Sequence, residues 1–174
     1  MPSLNRVCDV VRIGDCPPDL KAMSPAFTIR HIAVADALAV RLDVLRRGTP
    51  SQDATYDGDD EPHTAHIGAA IGNRVVATST WLIRPWQHDT TSTAVQLRGM
   101  AVLDEMQNSG VGHALIDAGM THAHSVGARY VWAKARDSAL YFYERCGFHI
   151  VDEQFIESAS GMPHHLVLRE TVTA

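Results

Sequence analysis

Residues 107–114 read QNSGVGHA and stand between a strand pattern over residues 94–103 and a helical pattern over residues 111–126. Glycines at 110 and 112 let the backbone turn tightly and approach a ligand closely. The first turn of a helix presents amides that have no intrahelical acceptor, and the helix dipole adds positive potential there. The segment therefore predicts a phosphate site that needs no lysine or arginine, although a tight turn that binds nothing would carry the same glycines.

Two other phosphate-binding loops fit these residues poorly. A dinucleotide-binding fingerprint needs a third glycine three residues after Gly112, where Leu115 stands. A Walker-type loop needs Gly-Lys-Ser or Gly-Lys-Thr, and the chain has neither.

The flanking patterns predict a chain of strands and helices. Residues 33–46 carry Val34, Leu38, Leu42 and Leu45 near helical spacing, which predicts a helix with an apolar face. Gly72 and Asn73 between two β-branched runs indicate a hairpin. The predicted order is a strand at 27–31, a helix at 33–46, strands at 64–71, 74–83 and 94–103, a helix at 111–126, a strand at 129–135, a helix at 139–146, and strands at 148–157 and 164–171.

Two segments together resemble the signatures of the GNAT superfamily of N-acetyltransferases. Gln107, Gly110 and Gly112 match the pattern Gln/Arg-x-x-Gly-x-Gly/Ala, and residues 97–102, LRGMAV, look like the strand that precedes it. Residues 139–148, ALYFYERCGF, look like the second signature, in which an alanine precedes Phe-Tyr and then Gly-Phe. The similarity is clear over residues 94–148 and extends at the level of element order to residues 27–170.

The resemblance implies a fold and a donor site. The fold is a mixed α/β (α+β) sheet in which the fourth and fifth strands run parallel at the centre but splay apart. The pantetheine arm of acetyl-CoA lies in that gap and pairs with the backbone of the fourth strand, and the following loop holds the pyrophosphate through its amides. The implied binding residues are Met100, Ala101, Val102, Gln107, Asn108, Ser109, Gly110, Val111, Gly112, His113 and Ala114.

The resemblance also assigns one catalytic residue. Tyr143 matches the tyrosine that protonates the departing thiolate, whereas a packing role at the helix end remains the alternative. Many relatives carry an asparagine where this chain has Arg136, which we interpret as a solvated side chain or, second, as a phosphate contact. The general base stays open among His66, His164, His165 and water, since a histidine titrates near neutrality. No histidine spacing matches a zinc site, so no metal is expected.

Composition limits the partners. The chain has 174 residues, of which 45% are hydrophobic, and a net charge of −5. The absence of a basic run argues against nucleic acid, and no apolar run is long enough to cross a bilayer. We expect an N-terminal extension over residues 1–26, one domain over 27–174 and a cytoplasmic location, with a homodimer as an open possibility. Three irregularly spaced cysteines do not form a disulfide framework, and Cys146 fits a small buried hydrophobe.

The expected activity is transfer of an acetyl group from acetyl-CoA directly to a primary amine, in a ternary complex. The acidic loop Asp57–Glu61 is a candidate for attracting a cationic amine, and Trp81 and Trp86 either line the acceptor pocket or close the core. Two alternatives remain at this point, namely a non-catalytic acyl-CoA-binding or regulatory module and a structural domain. The acceptor itself cannot be identified from the residues.

Overall fold

The computed structural model describes residues 26–49 and 51–171. The extension expected over residues 1–26 therefore lies outside the described residues apart from Ala26, as do Cys8 and Cys16. The described chain forms, in order, β1 (Thr28–His31), α1 (Val34–Leu45), β2 (Ala65–Ile71), β3 (Arg74–Ile83), β4 (Ala94–Val102), α2 (Val111–Ser125), β5 (Tyr130–Arg136), α3 (Leu140–Arg145), β6 (His149–Ile150), β7 (Phe155–Glu157) and β8 (Met162–Glu170).

The strands form one mixed sheet in the order β1-β2-β3-β4-β5-β8-β6, and β7 also pairs with β8. All pairs are antiparallel except β4 and β5, which are parallel. The hairpin predicted at Gly72 and Asn73 joins β2 to β3. The mixed α/β sheet with a central parallel pair is thus confirmed.

The parallel pair splays apart partway along its length. Ala94–Leu97 pairs with Tyr130–Ala133, but beyond Leu97 the strand β4 pairs only with β3, and beyond Ala133 the strand β5 pairs only with β8. The splay begins beside a bulge, where Gly99 and Met100 together oppose the single residue Ser79. Gly99 has a φ of +56°, which favours glycine. One edge of β4 is therefore left open at the centre of the sheet.

The two long helices cover opposite faces of the sheet. Thr80 of β3 bonds to Arg41 of α1, whereas the next residue, Trp81, packs under Gly119 of α2, where a Cβ atom would lie 1.7 Å from the indole. Neighbouring strand residues point to opposite faces, so the face that α1 covers carries Thr80 and its cross-strand partner Arg98. Trp81 is fully buried in the core and does not line the cavity described below. Of its two expected roles, packing in the core is therefore the one observed.

Two local predictions were wrong. The helix α1 buries Ala37, Val40 and Arg41 and leaves Leu42 44% exposed, so its buried face is rotated from the apolar stripe expected from the sequence. The strand expected over residues 148–157 is two short strands, β6 and β7, which pair with different parts of β8. Among the described residues, no helix is long and apolar enough to span a membrane.

Candidate active site

A cavity of about 850 Å³ opens where β4 and β5 separate. Its wall is formed by the bulge of β4, the loop before α2, the end of β5, the helix α3 and part of the segment between α1 and β2. The predicted site residues line this cavity with the exception of Ser109, Val111 and Ala114. The two sequence signatures therefore meet in one space.

The loop before α2 presents backbone groups to this cavity. Asn108 and Gly110 have φ values of 61° and 87°, and no side chain caps the helix. The first backbone bond of α2 runs from the amide of Ala114 to the carbonyl of Gly110, at 3.1 Å. The amides of Val111, Gly112 and His113 consequently have no acceptor within the helix.

Close packing explains why a glycine stands at 112. A Cβ atom there would lie 3.0 Å from Cε2 of Phe142 and 3.5 Å from Cε of Met100. The helix start thus packs directly against α3 and the open edge of β4. A larger side chain would enter the space between these elements.

The remaining loop side chains have other contacts. Val111 is fully buried, and the Ser109 hydroxyl donates to the carbonyl of Met106 at 2.6 Å. The exposed Gln107 side chain donates to Asp104 at 3.2 Å. The amide of Ala114 is already bonded to Gly110. Backbone rather than side-chain groups of this loop are thus left for a ligand.

Tyr143 of α3 is the predicted catalytic residue. It is buried among aromatic rings, with centroid distances of 5.5 Å to Phe142 and 5.4 Å to Phe148, and it also lines the cavity. Burial raises the pKa of the Tyr143 phenol well above its usual value. The hydroxyl therefore stays protonated at neutral pH, as a proton donor must. Tyr141, two residues earlier, is 70% exposed and receives a hydrogen bond from Arg145.

The three candidate histidines have distinct environments. His66 uses both ring nitrogens, since Nε2 donates to the carbonyl of Asp59 at 3.0 Å and Nδ1 accepts from the hydroxyl of Thr80 at 2.9 Å. His165 pairs with Asp137 at 3.0 Å. His164 lines the cavity and donates from Nδ1 to the carbonyl of Met162 at 2.9 Å, which leaves the lone pair on Nε2.

A buried ion pair, which the sequence did not predict, anchors the acidic loop. The Arg41 guanidinium donates to both carboxylate oxygens of Asp59, at 2.7 and 2.9 Å, and also to Thr80. Burial alone would raise the pKa of Asp59, but the hydrogen bonds from Arg41 and from the amide of Tyr56 hold it below its usual value. Asp59 therefore stays ionised, and its charge is balanced by that of Arg41. Glu61 is paired with Arg84 at 2.6 Å. Of this loop, only Asp57 lines the cavity.

The same ion pair also borders the cavity, through the contact of Arg41 with Tyr56. The Tyr56 ring lies between two guanidinium groups, 4.6 Å from that of Arg41 and 4.5 Å from that of Arg98, and it lines the cavity. A Cβ atom on Gly99 would lie 2.5 Å from Nε of Arg41, so the bulge glycine also makes room for the buried cation. No local sequence pattern identified Tyr56 or Arg41.

Arg136 is half-buried at the end of β5 rather than fully solvated, and it lines the cavity. Its Nη2 donates to the carbonyl of Leu45 at 3.1 Å. The thiol of Cys146 is buried, and burial raises its pKa to about 11, which fits an unreactive packing residue. Within residues 26–49 and 51–171, no group of His, Cys, Asp and Glu side chains is arranged to hold a metal ion.

Comparisons with known proteins agree with this geometry. A family described as "Acetyltransferase (GNAT) family" matches residues 32–148. The uncharacterized N-acetyltransferase YitI of Bacillus subtilis (strain 168) is 24% identical over 144 residues, which are 83% of this chain and 95% of YitI.

Solved structures share the fold at low identity. Escherichia coli ElaA superposes with a TM-score of 0.66 at 23% identity, over 83% of this chain and 99% of that one. An aminoglycoside 6'-N-acetyltransferase complexed with coenzyme A superposes with a TM-score of 0.65 at 12% identity, over 84% of this chain and 98% of that one.

Proposed function

Because the chain belongs to the GNAT family of acetyltransferases, we propose that it moves an acetyl group from acetyl-CoA directly to a primary amine. One observation carries the proposal. The open edge of β4, the first-turn residues Gly112 and His113 with their unpaired amides, and the protonated Tyr143 all line a single cavity. These are the features that an acyl-CoA and its reacting thioester require.

The donor would be held mainly by backbone groups. The open edge at Met100, Ala101 and Val102 suits the amide-bearing pantetheine arm, which can pair with it as a strand would. The amides of Gly112 and His113 suit the pyrophosphate, because both residues line the cavity and the helix dipole favours an anion there. The solved relative that contains coenzyme A supports this choice of donor.

The proton steps are assigned to two residues that line the cavity, Tyr143 and His164. The amine nitrogen attacks the thioester carbonyl carbon, and the carbon–sulfur bond then breaks. Tyr143 gives its phenolic proton to the departing thiolate, while His164 accepts a proton from the amine at Nε2. The phenol is then restored by proton exchange with water. His66 is a poorer base, since both of its ring nitrogens are already hydrogen-bonded.

Two conservative variants test the assignment. Tyr143→Phe and His164→Gln should each lower kcat by roughly a hundredfold, because each removes one proton transfer. The affinity for acetyl-CoA should change by less than about twofold, since neither side chain is needed to hold the donor. Turnover is measured by detection of the released thiol, and affinity by titration calorimetry.

The chain offers a matched control for each variant. Tyr141→Phe changes an exposed tyrosine on the same helix, and His165→Gln changes the neighbouring residue on β8, which points to the other sheet face. Both should retain activity. Full activity of Tyr143→Phe would show that this tyrosine only packs. A protein that binds acetyl-CoA but acetylates no amine would instead be the non-catalytic binding module.

A further inference from the structure

A second cavity of about 450 Å³ lies beside the first, on the sheet face that carries Arg98. The exposed area inside it is mostly apolar, and its aromatic and apolar lining residues include Trp86, Trp132, Phe155 and Leu166. Polar and charged residues complete the lining, namely Gln87, Lys134, Asp152, Glu153 and Gln154. The cross-strand register places Trp132 opposite Gln96, whose neighbour on this face is Arg98. The side chain of Lys134 lines both cavities, so the two spaces are neighbours on one surface.

We propose that this second cavity binds an aromatic group of the acceptor, which a polar linker joins to the reacting amine. This inference rests on the proposed acetyltransferase activity, and it names the class of amine: an elongated arylalkyl amine with hydrogen-bonding atoms in its middle. The first cavity would then receive only the amine end of the acceptor.

The aromatic walls favour a flat apolar group. The ring centroids of Trp86 and Trp132 lie 5.8 Å apart, and Nζ of Lys134 lies 5.7 Å from the centroid of the Phe155 ring. The indole of Trp132 donates to the carbonyl of Arg84 at 3.3 Å, which fixes the ring in place. Aromatic groups gain from offset or edge-to-face contacts with such walls, beyond the apolar area that they bury.

The boundary between the two cavities is polar. A polar boundary favours the linker of an acceptor over a long acyl chain as the group that crosses it. Nζ of Lys134 lies 2.8 Å from Oε2 of Glu157, and both residues line the first cavity. An alkyl chain crossing this point would remove water from the charged pair and return no hydrogen bond. A polar linker can return those bonds. The ring of His164 lies 6.0 Å from that of Phe155, so an acceptor seated on Phe155 also passes the proposed base.

The test compares two amines that differ only in the aromatic group. We would use β-alanine benzylamide and β-alanine methylamide, which share the primary amine and the amide linker. The wild-type kcat/KM should be at least about tenfold higher for the benzylamide, the scale of one well-packed apolar group. Phe155→Ala should bring this ratio close to one.

A neighbouring residue supplies the control. Ile156→Ala truncates the next side chain of the same strand, which is 64% exposed, and it should keep the wild-type ratio. Stabilisation of each variant by acetyl-CoA confirms that it has folded. If Phe155→Ala does not fold, the wild-type preference for the benzylamide over the methylamide tests the aromatic subsite by itself.

The outcomes separate this inference from the proposed activity. A wild-type ratio near one, or a ratio that Phe155→Ala leaves unchanged, would overturn the aromatic subsite while the activity stands. A preference for octanoyl-CoA that disappears in Phe155→Ala would assign the cavity to the acyl chain instead. If neither amine is acetylated, quenching of tryptophan fluorescence by the benzylamide alone would support the subsite, and equal quenching by both amides would overturn it. The activity itself is then decided by a wider panel of primary amines.

Discussion

The proposed donor side and the proposed acceptor side of the cavity are built from different parts of the chain. The donor side consists of backbone, with an open strand edge at Met100–Val102 and free amides at the start of α2. The acceptor side consists of side chains, with Tyr56 held between Arg41 and Arg98 and the whole segment tied down by Asp59. A site made of backbone groups can be recognised in the sequence from the glycines that it requires. A site made of side chains is harder to recognise, because its residues are distant from one another in the chain.

This contrast also separates what is common to a fold from what is particular to one protein. The backbone of the donor side follows from the splayed strands and the helix start, which the fold itself provides. The acceptor side depends on a buried ion pair that could differ without any change in topology. We therefore expect substitutions on the two sides to fail in different ways, by loss of stability on one and by loss of donor affinity on the other.

The largest effect is expected on the acceptor side. Asp59→Ala should lower the free energy of unfolding by about 3–5 kcal/mol, because it leaves the Arg41 guanidinium buried without its partner. Chemical denaturation measures this change. Asp57→Ala is the matched control, since its side chain in the same loop is 99% exposed, and it should change stability by less than about 0.5 kcal/mol. Equal effects of the two variants would contradict the anchoring role.

The sign of the pH dependence follows from the same residue. The folded-state pKa of Asp59 is lowered, so its stabilising contribution is present above the unfolded pKa of about 4 and is lost as the pH falls through the folded value. Asp59→Asn should accordingly show a weaker loss of stability between about pH 4 and pH 2 than the wild type does.

The next largest effect is expected at the helix start on the donor side. Gly112→Leu should weaken acetyl-CoA binding by roughly a hundredfold or more, since the new side chain occupies the space beside Phe142 and the open strand edge. Calorimetric titration gives the affinity, and circular dichroism checks the fold. Thr121→Leu, at an exposed position of the same helix, should bind acetyl-CoA normally. Unaltered binding of acetyl-CoA by Gly112→Leu would show that the loop before α2 does not bind the donor.

The smallest effect is expected for a donor-side side chain, and it sharpens the claim that backbone groups bind the donor. Gln107→Ala should change the affinity for acetyl-CoA by less than about threefold, because this exposed side chain bonds to Asp104 at 3.2 Å and only at 3.5 Å to the carbonyl of Val102 at the end of β4. A loss of more than about tenfold, or 1.4 kcal/mol, would show that the side chain itself binds the donor.

The sequence indicated the two segments that line the cavity because its signals there are local. Gly110, Gly112 and Tyr143 lie in two short segments, and the element order between them places both segments at one cavity. The acceptor side was missed because Arg41, Asp59 and Thr80 meet only through tertiary contacts. Arg41 reads as a surface cation in the pattern of α1, yet its burial rotates that helix and exposes Leu42. The strand expected over residues 148–157 divides because its two parts pair at different places along β8.

The most direct measurement is mass spectrometry of a panel of primary amines incubated with the protein and acetyl-CoA, with the released thiol quantified in parallel. We expect that at least one amine gains a single acetyl group on nitrogen, in equal amount to the free CoA that appears. Acetyl-CoA that binds tightly while no amine in the panel is acetylated, or thiol release without an acetylated amine, would contradict it.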